Sequence, residues 1–304
     1  MKAIPGKPAL ARAGAIAFAP QAFVRLRFLR VWLPLAILGF LSSRILHAAE
    51  WLSAAGFQVP DLGRRDWRQP LYLAPLPVWA AWGLCAVLAL SGLALSAGVK
   101  PRISALLFAL GLFYVTLADR LEAFTVNKLG SVLALALFLV PTVWRADPAD
   151  RASAGATPGE RAVNRVPADA KVTWGNVRFF QLLVVILYCA SGICKWKGDW
   201  LTHPYVLWTH MQDSYQTPFS YHVAALMPLA AWRPLQYVVL GFEVLAPLWL
   251  LLPWTRLPAL CLGLGIHAFI GLGFGPVVWF VILMAALLMG CFAPESWLQR
   301  FFFR

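Results

Sequence analysis

Six polar side chains stand inside or at the ends of long apolar runs: Arg44, His47, Asn127, Lys195, Glu243 and His267. An ionisable group in such surroundings is costly to bury and defaults to a functional hypothesis. Lys195 closes an apolar run in SGICKWKGDW. One reading is snorkelling, the ammonium lifting to the headgroups. Lys197, further out, does that more easily. The other reading is a functional amine. Ser191 and Gly192 lie four and three residues back, on the same helical face, and leave room for a ligand or a partner helix. A lysine in an apolar site gives up its proton more readily and can serve as a base.

Glu243 sits mid-run in VVLGFEVLAPLWL. It should face the bundle interior, protonated or paired with a cation such as Arg44, Lys195 or His267. His267 lies among glycines in LGLGIHAFIGLGFGP. The spacing is not that of a nucleotide loop and no strand precedes it. A proton relay and a satisfied interior histidine are both open. Arg44 and His47, three apart, should share a helix face near the outer end of the first run. His203 and His210 are seven apart, with no close carboxylate or cysteine pair, so no metal is expected. The five cysteines form no CxxC pair and read as small buried hydrophobes, without a disulfide framework.

These side chains need a scaffold, and the composition names its class. The 304 residues are 61% hydrophobic and 13% charged, with a mean hydropathy of +0.70. A soluble domain is nearer half apolar and a quarter charged. The composition excludes a soluble enzyme and a disordered chain. It predicts an all-α polytopic membrane bundle. Eight runs, near 29–49, 75–97, 102–118, 129–144, 177–196, 235–253, 258–272 and 276–293, are long enough or nearly so to span. Residues 1–28 then form a basic cytoplasmic tail, 29–298 one membrane domain and 299–304 a C-terminal tail.

The net charge of +13 would suggest nucleic acid in a soluble protein. Here the basic residues flank apolar runs, where anionic headgroups explain them, and no nucleic-acid partner is expected. With the N-terminus inside, seventeen basic residues fall on inside segments and eight on outside loops. That bias predicts both termini cytoplasmic and an inner-membrane location. Residues 145–172, rich in Ala, Pro, Gly and charge, read as a flexible inside loop. The outside loop 197–233 is aromatic. Its residues 203–213 are expected to form a short interfacial helix, and 222–232 have helical character but cannot span.

At these residues the chain resembles a known family. QLLVVILYCASGICKWKGDWL, Gln181–Leu201, is similar to the fifth-span signature of the HTTM (horizontally transferred transmembrane) domains, relatives of the vitamin K-dependent γ-glutamyl carboxylase. The matching residues are Gln181, Tyr188, Ser191-Gly192, Lys195 and Asp199-Trp200. Glu243 with Pro247 resembles the next span, and His267 before its Gly- and Phe-rich run the one after. The resemblance covers about 25–298 and is specific in 181–201.

The resemblance implies a mechanism. Lys195 would deprotonate a vitamin K hydroquinone, and O2 would convert the quinol to an epoxide through a strongly basic intermediate. That base would take a γ-proton from a glutamate, and CO2 would trap the carbanion. Glu243 and His267 would tune charge and relay protons. Arg44, His47, Asn127, Lys128, Tyr188, Trp196 and Trp200 would contact the quinol, in an outer cavity built from spans one, four, five, six and seven. Lys128 stands where the animal carboxylase has a His after the Asn. The partners implied are membrane lipid, a lipid-soluble quinone and an extracytoplasmic protein or peptide. A non-catalytic membrane module that binds lipid or docks a partner is the other reading of the same residues.

Overall fold

The structure, a computed structural model, describes residues 21–56, 71–118, 125–140, 171–172 and 176–302. Apart from one ladder, β1 (Gln21–Ala22) antiparallel to β2 (Lys171–Val172), its regular structure is helical. The long helices are α1 (Phe23–Ile45), α3 (Val78–Ala97), α4 (Pro101–Ala118), α5 (Thr125–Leu139), α6 (Asn176–Lys197), α9 (Leu229–Leu251), α10 (Arg256–Gly273) and α11 (Val278–Phe292). Short helices are α2 (Ala48–Leu52), α7 (Val206–His210), α8 (Pro218–Leu226) and α12 (Glu295–Gln299). Each of the eight expected runs overlaps a long helix, residues 141–144 of the fourth lying outside the described residues. Among the described residues, six segments are long and apolar enough to cross a membrane. The other two are α1, which carries Arg25, Arg27, Arg30 and Arg44, and α5, which has 15 residues.

Helix α1 is central and packs on α3, α5, α6 and α11. Helices α3, α4 and α5 pack in sequence on one side, and α6, α9, α10 and α11 on the other. Glycines set the close approaches. A Cβ on Gly290 would stand 2.4 Å from Leu29 Cδ2, and one on Gly192 would stand 3.1 Å from the Val244 backbone N. A larger side chain at either position must push its neighbour away, since the α11 backbone meets the Leu29 side chain and the α6 backbone meets the α9 backbone.

Helix ends leave carbonyls without intrahelical partners. Basic and amide side chains meet them at one end of the bundle. Arg25 Nη1 donates to Gly290 O at 3.4 Å and Gln181 Nε2 to Cys291 O at 2.8 Å. Arg178 Nη1 holds Gln181 Oε1 at 2.9 Å, and Arg25 Nε lies 3.7 Å from Glu295 Oε1. Arg256 Nε and Nη2 each donate at 3.1 Å, to Leu250 O and Leu251 O. Cations at helix C-termini also suit the dipole.

The boundaries differ from expectation in particular places. The first span starts at Phe23 rather than near 29, because Arg25 is used by α11 and α12 instead of water. It ends at Ile45, where the chain turns into α2. The fourth span begins four residues early, at Thr125, so Asn127 and Lys128 are helical. In the aromatic loop the first helix is only Val206–His210. The second runs Pro218–Leu226, opened by a Thr217/Ser220 capping box and ended before Met227-Pro228. Pro228 caps α9, so 229–232 belong to that long helix. The tail up to residue 20 and the loop 145–172, except its last two residues, lie outside the described residues.

Candidate functional site

Lys195 stands two residues before the end of α6 and Glu243 in the middle of α9. They meet because Gly192, one turn before Lys195, lets α9 approach at Glu243-Val244. Lys195 Nζ donates to Glu243 Oε1 at 2.7 Å and Oε2 at 2.6 Å, and to Ser191 Oγ at 2.8 Å. An ammonium has three N–H bonds, and three acceptors surround this one. The indole of Trp200 lies beneath, with Nζ 5.2 Å from its ring centroid. The side chains of Lys195 and Glu243 are 23% and 10% exposed. Lys195 therefore turns inward to a carboxylate, while Lys197 and Trp196 stay exposed. The snorkelling reading fits Lys197, not Lys195.

The pair closes one end of a cavity of about 460 Å³ between α6, α9, α10 and the segment 200–210. Its remaining wall is almost wholly apolar and includes Val239, Leu207, Ile266 and Phe269, with the exposed His210 also lining it. Gln236 carries the roof. Its Oε1 accepts from Leu207 N at 3.1 Å, and its Nε2 donates to Trp200 O at 2.6 Å and His203 O at 2.9 Å. Glu243 lies seven residues deeper on α9, roughly 10 Å below at 1.5 Å per residue. Thr217 Oγ1 bonds Leu272 O at 2.6 Å and ties the other flank of the roof to α10. Leu207, Met211 and Trp232 pack as its small core.

His267 does not line this cavity. It is buried behind the wall, sharing a 2.8 Å hydrogen bond with Tyr188 OH through Nε2. Tyr188 packs edge-on against Phe242, the neighbour of Glu243. Among the described residues, His267 Nδ1 has no hydrogen-bond partner. The two polar pairs are thus adjacent layers of one bundle, one facing a cavity and one sealed.

The other expected contacts are dispersed. Arg44 and His47 line a separate cavity of about 700 Å³ with Glu50 and Trp51. They do not share a helix face, because the chain leaves α1 after Ile45 and His47 precedes α2. His47 Nδ1 pairs with Glu50 Oε1 at 3.5 Å, and the Arg44 guanidinium covers Phe40. Asn127 is buried on α5 and Lys128 exposed beside it. Neither lines the Lys195 cavity, which among the described residues takes nothing from spans one and four. Among the described residues no group of three His, Cys, Asp or Glu is placed to hold a metal ion. Gln236 escaped the sequence reading. Its signal was an amide inside an apolar run, the same signal that singled out Asn127.

Among the described residues, six apolar helices of membrane-crossing length define an integral, multi-pass membrane protein. The family model of the HTTM domain matches residues 68–297, and the chain belongs to the HTTM family. No curated protein and no solved structure matches it.

Proposed function

We propose that the protein binds a quinol-like, lipid-soluble ligand in the Lys195–Glu243 cavity and that Lys195 acts as a base on its hydroxyl group. The observation that carries this reading is the paired amine at the end of an apolar cavity inside the bundle. The fit of the residues supports it. A pocket of about 460 Å³ suits a small ligand. Its apolar wall takes an apolar ring, and the indole of Trp200 offers a face to stack on.

A protonated amine is no base. The short contacts to Glu243 supply a route: one N–H proton passes to the carboxylate, leaving a neutral amine beside a neutral acid. The net charge of the pair is unchanged by that transfer. Nζ can then accept a hydroxyl proton, with Ser191 and Glu243 holding the nitrogen in place. The sealed Tyr188–His267 pair lies in the next layer, beside Phe242. The wider chemistry that the family resemblance implies, with O2, CO2 and a glutamate substrate outside the membrane, belongs to the same proposal.

The test is turnover. Purified protein in lipid nanodiscs receives vitamin K hydroquinone, oxygen, bicarbonate and a glutamate-containing peptide. Epoxide should form, and Lys195→Ala should abolish it. An inactive wild type, or an equally active variant, overturns the enzymatic reading. A second reading, a non-catalytic lipid-binding module, is favoured by one observation: all three donors of the ammonium are already engaged. It expects no epoxide from either protein and unchanged ligand binding in Lys195→Ala.

A further inference from the structure

The cavity has a side opening. Val238 on α9 and Cys261, Leu262 and Gly265 on α10 line it and are themselves exposed. All four lie within helices long and apolar enough to cross a bilayer. Gly265 is eight residues from the end of α10, roughly 12 Å at 1.5 Å per residue. Side chains that face the cavity and the exterior at that depth face hydrocarbon, not water.

Two glycines on α10 do different work. A Cβ on Gly263 would stand 2.7 Å from Phe242 Cζ, so that glycine lets α9 pack closely. A Cβ on Gly265 would meet nothing within 4 Å. Helix packing therefore does not require Gly265 to be small. What its missing side chain leaves is open space between the cavity and the lipid.

The polar end restricts what can arrive. Lys195 and Glu243 are a neutral pair, and every N–H of the ammonium is committed. A phosphate headgroup would find no spare charge there. A neutral head that donates or accepts a hydrogen bond fits without an uncompensated ion.

We propose that the gap between α9 and α10 is a lateral doorway, and that Gly265 is the residue that sets its width. The hydrocarbon chain of a neutral, single-chain amphiphile passes over Gly265, with its head at the Lys195–Glu243 pair and the rest of its chain in the bilayer. This rests on the cavity being the ligand site proposed above.

The experiment uses the full chain in phosphatidylcholine nanodiscs and hexadecanol carrying a mid-chain diazirine. After illumination, adducts are mapped by mass spectrometry. Wild type should be labelled at Val239 and Leu207, which are 5% exposed and face the cavity, as well as at the lipid-facing Leu90 and Leu110. The series Gly265→Ala, Gly265→Leu, Gly265→Trp should lose the cavity adducts progressively, at least fivefold for Trp, with the Leu90 and Leu110 adducts unchanged. Space around Gly265 accommodates the Ala variant, and the Leu90 and Leu110 labels report on the rest of the bundle in all three. Cavity labelling that survives Gly265→Trp overturns the doorway and leaves the cavity reading standing. Wild type labelled only at lipid-facing positions overturns both.

Discussion

At the scale of the residue, the Lys195–Glu243 pair carries a clear energetic signature. Removing one partner of a largely buried ion pair strands the other charge. Lys195→Met should destabilise the bundle by about 3 kcal/mol, the low end for such pairs because Lys195 keeps some exposure. Lys195→Met combined with Glu243→Met removes both charges and should recover most of that loss. Thermal unfolding of the single and double variants in one detergent measures it. If the double variant is no more stable than the single, the two charges are not coupled as the geometry requires. The same logic reaches the neighbouring glycine. Gly192→Leu must push α9 away from α6, since a Cβ alone already reaches the Val244 backbone. It should cost about 2 kcal/mol by overpacking and, unlike Gly265→Leu, lower the melting temperature.

At the scale of the element, the roof over the cavity hangs on one amide. Gln236→Leu leaves the Leu207 N–H and the carbonyls of Trp200 and His203 without their partner. The expected cost is about 2 kcal/mol, since unsatisfied buried groups carry their full desolvation penalty. Hydrogen exchange should quicken at Leu207 and its neighbours while α3 and α4 stay protected. Uniform protection across both would show that the roof does not depend on Gln236.

The elements also show what the sequence made legible. Apolar run length located the eight long helices of the described residues, because in lipid the backbone has few alternatives to a helix. Lys195 and Glu243 were legible for the same reason, as isolated charges in apolar runs. Their pairing was not decided by the sequence. Glu243 had three candidate cations, and Gly192 selects among them only through the three-dimensional approach of α9. Arg44 and His47 illustrate the opposite case. Their three-residue spacing implies a shared face only while the helix continues, and it stops at Ile45. The early start of α1 was hidden too, because Arg25 reads as a flanking charge until Gly290 and Glu295 come round from the far end of the chain.

At the scale of the whole molecule, the two ends of the bundle are chemically different, and this bears on where the proposed chemistry can occur. Arg25, Arg178 and Arg256 gather at the end where α1 and α6 begin and α11 finishes, each satisfying a carbonyl or an amide. The aromatic roof and the Lys195 cavity occupy the end where α6 and α10 finish and α9 begins. We infer from the excess of basic residues that the arginine end is cytoplasmic and the roof outside. Two single cysteines test this, in a chain whose exposed Cys194 and Cys261 are replaced by Ser. Ser214→Cys lies in the roof segment, between α7 and α8. Arg102→Cys opens α4 at the opposite end. A membrane-impermeant maleimide added to intact cells should label Ser214→Cys at once and Arg102→Cys only after permeabilisation. The reverse pattern would invert the bundle. The ion pair and doorway would keep their geometry, but the cavity would open toward the cytoplasm, and a peptide substrate outside the membrane could no longer meet Lys195.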